Sequence, residues 1–347
     1  DPDYIIITHE HSDHFHLPTL KAIGKDKLII FPDFKNNRIS SFLKKNNFNN
    51  FKALDFEKKF QIEANTYITF FRPKSLFLDS IALFERNSFR FLNLNDAGLN
   101  PNIADRIGPV HLLACIFSTG ASGYPLCWSQ LSDSEKKEIM INACNGRLEM
   151  LVQAISMYKS DFIIPFASHV RFWLEQHKKY RNTLITNNIN NVIGFFKQKK
   201  KMDHLIPLIP GDSYDLMNNY FLKKTYNKDK IYDKDYIEKE LNEDRKSFKG
   251  SLLCFGYSDY EYSLDNIVKY FEKLDSTYLN IEEEVFLKIN IYGKREDSLI
   301  FLFRNGKFEK KSQINKNISL IKMKVLDKVI MQIINGNLSW DEAKVGY

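Results

Sequence analysis

Residues 4–8, Tyr-Ile-Ile-Ile-Thr, run straight into His9-Glu10-His11-Ser12-Asp13-His14-Phe15-His16. No other feature constrains the chain as much as this junction. A short apolar, β-branched run followed by a polar tract reads as a buried strand ending in a loop. Where the backbone leaves the sheet, side chains two apart can converge on one point, while Asp13 and His14 turn toward a neighbouring one. Three neutral imidazoles and a carboxylate at that spacing are good ligands for borderline divalent metals such as zinc, iron or manganese. A solvent-exposed histidine cluster without function is the plainer alternative.

With 347 residues the chain is long enough for about two domains and at least one large core. Hydrophobic residues at 44% and charged residues at 27% fit a folded, soluble chain and argue against disorder. The net charge of +7 favours an anionic small-molecule substrate, but no concentrated basic face marks a nucleic-acid binder. Lys197, Lys199, Lys200 and Lys201 read as a solvated helix end. Cys115, Cys127, Cys144 and Cys254 lie far apart, without CxxC pairs, which suits a reducing, cytoplasmic setting. No apolar stretch is long enough to cross a membrane, and no signal peptide opens the chain. It starts at Asp1 without an initiator Met, which reads as a sequence cut at its N-terminus.

Strand-like runs recur at 28–31, 67–71, 80–85, 89–95 and 111–117. Ser132-Asp-Ser-Glu135 is a capping box and predicts a long helix to about Lys159. A buried strand is expected at 161–165, mostly helix over 170–198, and extended chain over 205–211, so the class is α/β. The charged stretch 223–249 predicts a linker or peripheral helix pair. The boundary drawn there separates a metal-binding domain, 1–245, from a smaller α+β domain, 246–347. In the latter, Val285, Leu287, Ile289 and Ile291 alternate with polar neighbours, Asn305-Gly306 predicts a hairpin, and 325–335 predicts a helix stopped by Gly336.

His9-x-His11-x-Asp13-His14 behind an apolar strand resembles the signature of the metallo-β-lactamase superfamily. The resemblance implies an αββα sandwich, here without its first strands, and a metal site at one sheet edge. It also implies an aspartate after a later strand, which Asp96 in Asn93-Leu-Asn-Asp96 matches; a plain turn residue is the alternative. The superfamily's intermediate histidine has no counterpart, because no histidine occurs from Leu17 to Val110 and the matching place holds Arg72. One metal position would then keep His9, His11 and Asp96, and a second would use Asp13, His14, Asp96 and a late histidine. His169, directly after a strand, is preferred for that role over His177, so one or two ions are implied. His16 and His204 are disfavoured as ligands, and His111, opening an apolar strand, reads as a satisfied core residue.

Gly120-Ala-Ser-Gly-Tyr-Pro125, Pro165-Phe-Ala167, Pro210-Gly211 and Gly336-Asn-Leu-Ser-Trp-Asp-Glu342 resemble, in order, landmarks of CMP-N-acetylneuraminate hydroxylases. This narrower likeness implies an iron-dependent monooxygenase acting on an N-acyl group of a nucleotide-linked sugar. Arg72 and the loop of Gly120, Ser122, Gly123 and Tyr124 would hold the substrate. Those hydroxylases carry a Rieske domain, and no Rieske ligand pairs occur here, so either the pairs lie in a missing N-terminal region, or a separate Rieske or other electron-donor protein serves as partner, or the chain is not an oxygenase. A zinc-dependent hydrolase of a phosphoester or amide, with Asp13 or Asp96 orienting water, is the alternative. A binding module that has lost turnover is a third. The part from about 250 onward resembles sterol-carrier-like domains, and no residue there implies catalysis.

Overall fold

The computed structural model describes residues 2–11, 13–36, 38–74, 78–119, 125–126, 128–166, 172, 178–224, 233–247, 261–274, 283–336, 338, 340 and 343. They divide into two compact units, 1–237 and 238–347.

The first unit begins β1 (Tyr4–Ile6), α1 (Leu17–Ile23), β2 (Leu28–Pro32), α2 (Arg38–Lys45) and β3 (Phe51–Leu54). These three strands are parallel, in the order β1-β2-β3, with a helix in each crossover. Then come β4 (Phe60–Glu63), β5 (Thr66–Phe71), β6 (Ile81–Arg86), β7 (Phe89–Asn95), α3 (Pro101–Ile107), β8 (Leu112–Ile116), α4 (Asp133–Tyr158) and β9 (Phe162–Phe166). They form a six-stranded sheet in sequence order, antiparallel through β7 and parallel from β7 to β9. After α5 (Lys178–Thr183) and α6 (Ile189–Gln198), β10 (Ser213–Asp215) and β11 (Tyr220–Lys223) make a separate hairpin.

Side-chain alternation turns these elements into four layers. On β2, Ile29 and Phe31 pack with Leu20 of α1 and with Ile39 and Leu43 of α2, whereas Ile30 packs with Leu54, Ile68, Phe70 and Ala82 between the two sheets. On the second sheet Ile81, Leu83, Leu92, Leu94, Leu113 and Cys115 face the opposite way, onto α3, α4 and α6. The order is therefore helix, sheet, sheet, helix, an αββα sandwich of mixed α/β class.

The expected capping box is present: Glu135 N donates to Ser132 Oγ at 3.3 Å, and Ser132 N to Glu135 Oε2 at 2.7 Å. Most of the described residues within 170–198 lie in α5 and α6, as expected. After a 3-10 turn at Met202–His204, residues 205–209 run without helix, Leu205 bridging Ile163, into a turn at Pro210-Gly211.

The second unit holds most of α7 (Lys234–Ser247), then α8 (Leu264–Lys273), β12 (Val285–Tyr292), β13 (Asp297–Arg304), β14 (Lys307–Lys311), β15 (Ser319–Leu326) and α9 (Asp327–Ile334). The sheet order is β14-β13-β12-β15, with the predicted Asn305-Gly306 turn at φ 51° and 75° joining β13 to β14. Val325 belongs to β15 rather than to the following helix, which starts at Asp327 and stops before Gly336 at φ 72°.

Candidate metal centre

The exits of β1 and β7 meet at one end of the sandwich. Ile7 N still bonds Ile30 O at 2.9 Å, after which Thr8 and His9 leave the sheet. His14 N and Phe15 N both donate to His11 O, at 2.9 and 2.8 Å, and this tight turn folds His14 back over His9. The His9 and His14 rings lie 4.2 Å apart, and His11 stands edge-on to His9 at 4.6 Å. From the second sheet, Asn95 adopts φ 40° and delivers Asp96 to the same place.

His9, His11 and Asp96 each offer a ligand atom, all within 4.8 Å of one another. His9 Nε2 is 2.9 Å from His11 Nδ1 and 3.7 Å from Asp96 Oδ1, and His14 Nε2 is also 3.7 Å from Asp96 Oδ1. Asp13 adds Oδ2 at 3.5 Å from His14 Nε2. Exposure rises across the group: His9 is completely buried, the His14 side chain is 15% exposed, that of Asp96 29% and that of Asp13 62%. Asp96 Oδ1 is buried without any hydrogen-bond partner. A buried acceptor that two imidazole nitrogens face without bonding suits a cation between them. The donor set of neutral nitrogens and carboxylate oxygens suits zinc or iron and does not by itself decide between them.

Burial, reinforced by the neighbouring His14 and His11, lowers the His9 pKa to about 3, so its ring is neutral and able to ligate at neutral pH. Burial also works against protonation of His14, but the hydrogen bond it donates to Asp13 and the charges of Asp96, Asp13 and Asp79 outweigh it and raise its pKa. The His14 hydrogen bond holds Asp13 below the usual carboxylate value. Desolvation, then the charge of Asp96, raises Asp79 to about 6. A stability prediction follows for the metal-free protein. Unfolded His9 takes a proton near 6.5, folded His9 only near 3, so acidification through that window favours unfolding. Asp79 acts with the opposite sign, which makes a variant comparison necessary. Relative to His9→Gln, the wild type is expected to lose about 2 kcal/mol between pH 6.5 and 4.5 in urea titrations. A constant difference would contradict the low His9 pKa.

Sequence reasoning missed Asp79, Ser80 and Asn95. Asp79 and Asn95 are almost fully buried, Ser80 is completely so, and Asp79 Oδ1 lies 3.3 Å behind His9, at Nδ1. The available signal was an Asp-Ser pair set directly before an apolar strand. Other named residues lie elsewhere. Arg72 is exposed, with its guanidinium 5.9 Å over the Phe56 ring. Glu10 turns away to Arg38 at 2.7 Å. His16 bonds Thr19 at 2.9 Å, and His204 bonds Asp161 O at 2.9 Å. Gly120, Ser122, Gly123, Tyr124, His169 and His177 lie outside the described residues.

His111 is half-buried, stacks on Phe89 at 5.2 Å, and accepts from Arg90 N at 3.0 Å. His111→Ala should therefore cost about 1–3 kcal/mol in denaturant titrations by orphaning that N–H, and leave metal content unchanged. Metal loss on this substitution would give His111 a role at the centre that its contacts do not.

No protein-family profile and no curated protein matches the chain. Among solved structures it is similar to an isothiocyanate hydrolase from Delia radicum gut bacteria, with 13% identity and TM-score 0.41 over 64% of this chain and 77% of that one. It is also similar to the metallo-β-lactamase fold protein YhfI from Bacillus subtilis, with 12% identity and TM-score 0.34 over 52% and 71%. Human tRNase Z, short form, gives 12% identity and TM-score 0.33 over 48% and 72%.

Proposed function

We propose that the chain is a metal-dependent hydrolase of metallo-β-lactamase type, acting on an anionic small molecule such as a phosphoester or amide. The orphaned Oδ1 of Asp96, set 3.7 Å from both His9 Nε2 and His14 Nε2, carries this reading. His9, His11 and Asp96 would hold one ion, and Asp13 with His14 would border a second position next to Asp96. A bound zinc ion lowers the pKa of water to near neutral and polarises the oxygen of the scissile group. The exposed Asp13 carboxylate, kept ionised by His14, can accept a proton from water and orient it. The buried His9 ring excludes solvent from the inner side of the centre. The net charge of +7 favours approach of an anion. Cys115 and Cys144 are unpaired thiols, in keeping with the cytoplasmic setting we infer.

The second reading, hydroxylation of an N-acyl group on a nucleotide-linked sugar, is favoured by two observations. Two histidines and one carboxylate are the ligand set of non-haem iron oxygenases, and stretches that resemble landmarks of the sugar hydroxylases occur in order. Iron would supply oxygen activation there, with electrons from a separate donor protein. Elemental analysis of anaerobically purified protein, followed by assays with phosphodiester and amide substrates under nitrogen, tests both. Zinc with turnover under nitrogen supports the hydrolase; iron with substrate-dependent oxygen uptake replaces it with the oxygenase. Sugar-nucleotide binding without turnover under any metal would leave a binding module.

A further inference from the structure

We infer that Asp79 is the positioning residue of this centre: it fixes the His9 ring so that Nε2 faces the ligand side, and it braces the loop carrying His9 against the loop carrying Asp96. The inference rests on the metal-binding reading above and extends it to residues that bear no ligand atom.

A neutral imidazole has one N–H and one lone pair, and its neighbours decide which nitrogen carries which. His9 Nδ1 has two neighbours, Asp79 Oδ1 at 3.3 Å and Thr8 Oγ1 at 3.1 Å. An ionised carboxylate can only accept, so the proton belongs on Nδ1 and the Thr8 hydroxyl takes the accepting role. The lone pair is then on Nε2, the atom that faces His11 Nδ1 and Asp96 Oδ1. Because the ring is completely buried, no solvent competes for either nitrogen.

The carboxylate is itself held. Ser80 N donates to Asp79 Oδ1 at 2.7 Å, and Asn95 Nδ2 approaches the same oxygen at 3.5 Å while donating to Ser80 O at 2.6 Å. Asn95 Oδ1 accepts from Asp96 N, and Ser80 Oγ donates to Thr8 O at 2.7 Å. One Asp-Ser-Asn unit thus ties the residue before His9 to the backbone of Asp96 across the two sheets. A carboxylate behind a ligating histidine holds the ring orientation and raises the basicity of the ligating nitrogen.

The test uses the full chain stripped with chelator, then titrated with zinc alone against a chromophoric chelator. Asp79→Ala is expected to weaken zinc binding by about 10–100-fold, the usual effect of losing such a partner. Asp79→Asn keeps an acceptor oxygen and is expected to recover most of that loss, which also guards against misfolding of the alanine variant. Nitrogen-15 spectra of the metal-free protein give a readout that altered stability alone would not move. His9 should carry its proton on Nδ1 in the wild type and in Asp79→Asn, and shift toward Nε2 in Asp79→Ala. Wild-type zinc affinity in a folded Asp79→Ala protein, or a wild-type His9 protonated on Nε2, would overturn the inference. A wild type that takes no zinc or iron defeats the metal-binding reading instead, while the spectra still decide the tautomer.

Discussion

Alanine at His11 is expected to leave a folded protein that has lost most of its metal. The His11 side chain is only half-buried and lies outside every hydrophobic cluster, so its removal should change stability by less than about 1 kcal/mol. It supplies one of the three converging ligand atoms, and the loss should exceed the 10–100-fold weakening that follows removal of a partner behind a ligand. Chelator competition and elemental analysis read this directly. Under the proposed hydrolase reading, turnover should fall in parallel, because only His9 and Asp96 of the three candidate ligands would remain to hold an ion. Unchanged metal content would take His11 out of the ligand set.

The second large effect is expected in the other unit, far in sequence from any proposed chemistry. Gly293 sits at φ +134°, and a Cβ there would come within 2.7 Å of Asp327 Cγ. Asp327, 2% exposed, accepts from Lys294 N at 2.8 Å, Arg295 N at 3.1 Å and Lys328 N at 2.7 Å. The glycine therefore meets two demands at once, an unusual backbone angle and room for the carboxylate. Gly293→Ala should destabilise the unit by about 2–4 kcal/mol through strain and displacement of Asp327. Asp327→Ala should cost a similar amount by leaving three amide groups without their acceptor. Because both changes break the same contact, the double variant should cost clearly less than the sum in urea titrations. Additive losses would show that the two residues act separately.

What could be read along the chain follows from how local each signal is. The Ser132 capping box, the Asn305-Gly306 hairpin and the alternation on β12 are written within a few residues, and each forms as its own chemistry dictates. The short elements α1, α2, β3 and β4 escaped, because four to eight residues give too little periodicity. The 325–335 run was read through as helix because apolar residues continue across Leu326; Asp327, whose carboxylate bonds the backbone of Lys294 and Arg295, marks the change. The ligand-type residues at 9–14 were legible because they sit together behind a strand. Asp79 was not, since its role depends on Thr8 and Asn95, partners that only folding brings near. A buried acid of this kind looks in sequence like any turn residue.

Because His9 and His11 leave the first sheet and Asp96 leaves the second, an ion gripped by all three would act as a staple across the sandwich. Any breathing that parts the sheets would also pull the ligands apart, so retention of the ion and closure of the fold would be one equilibrium. Loading would then harden the whole first unit against heat and proteases, rising with the logarithm of ion concentration above the dissociation constant, and chelation would soften it at places remote from the centre.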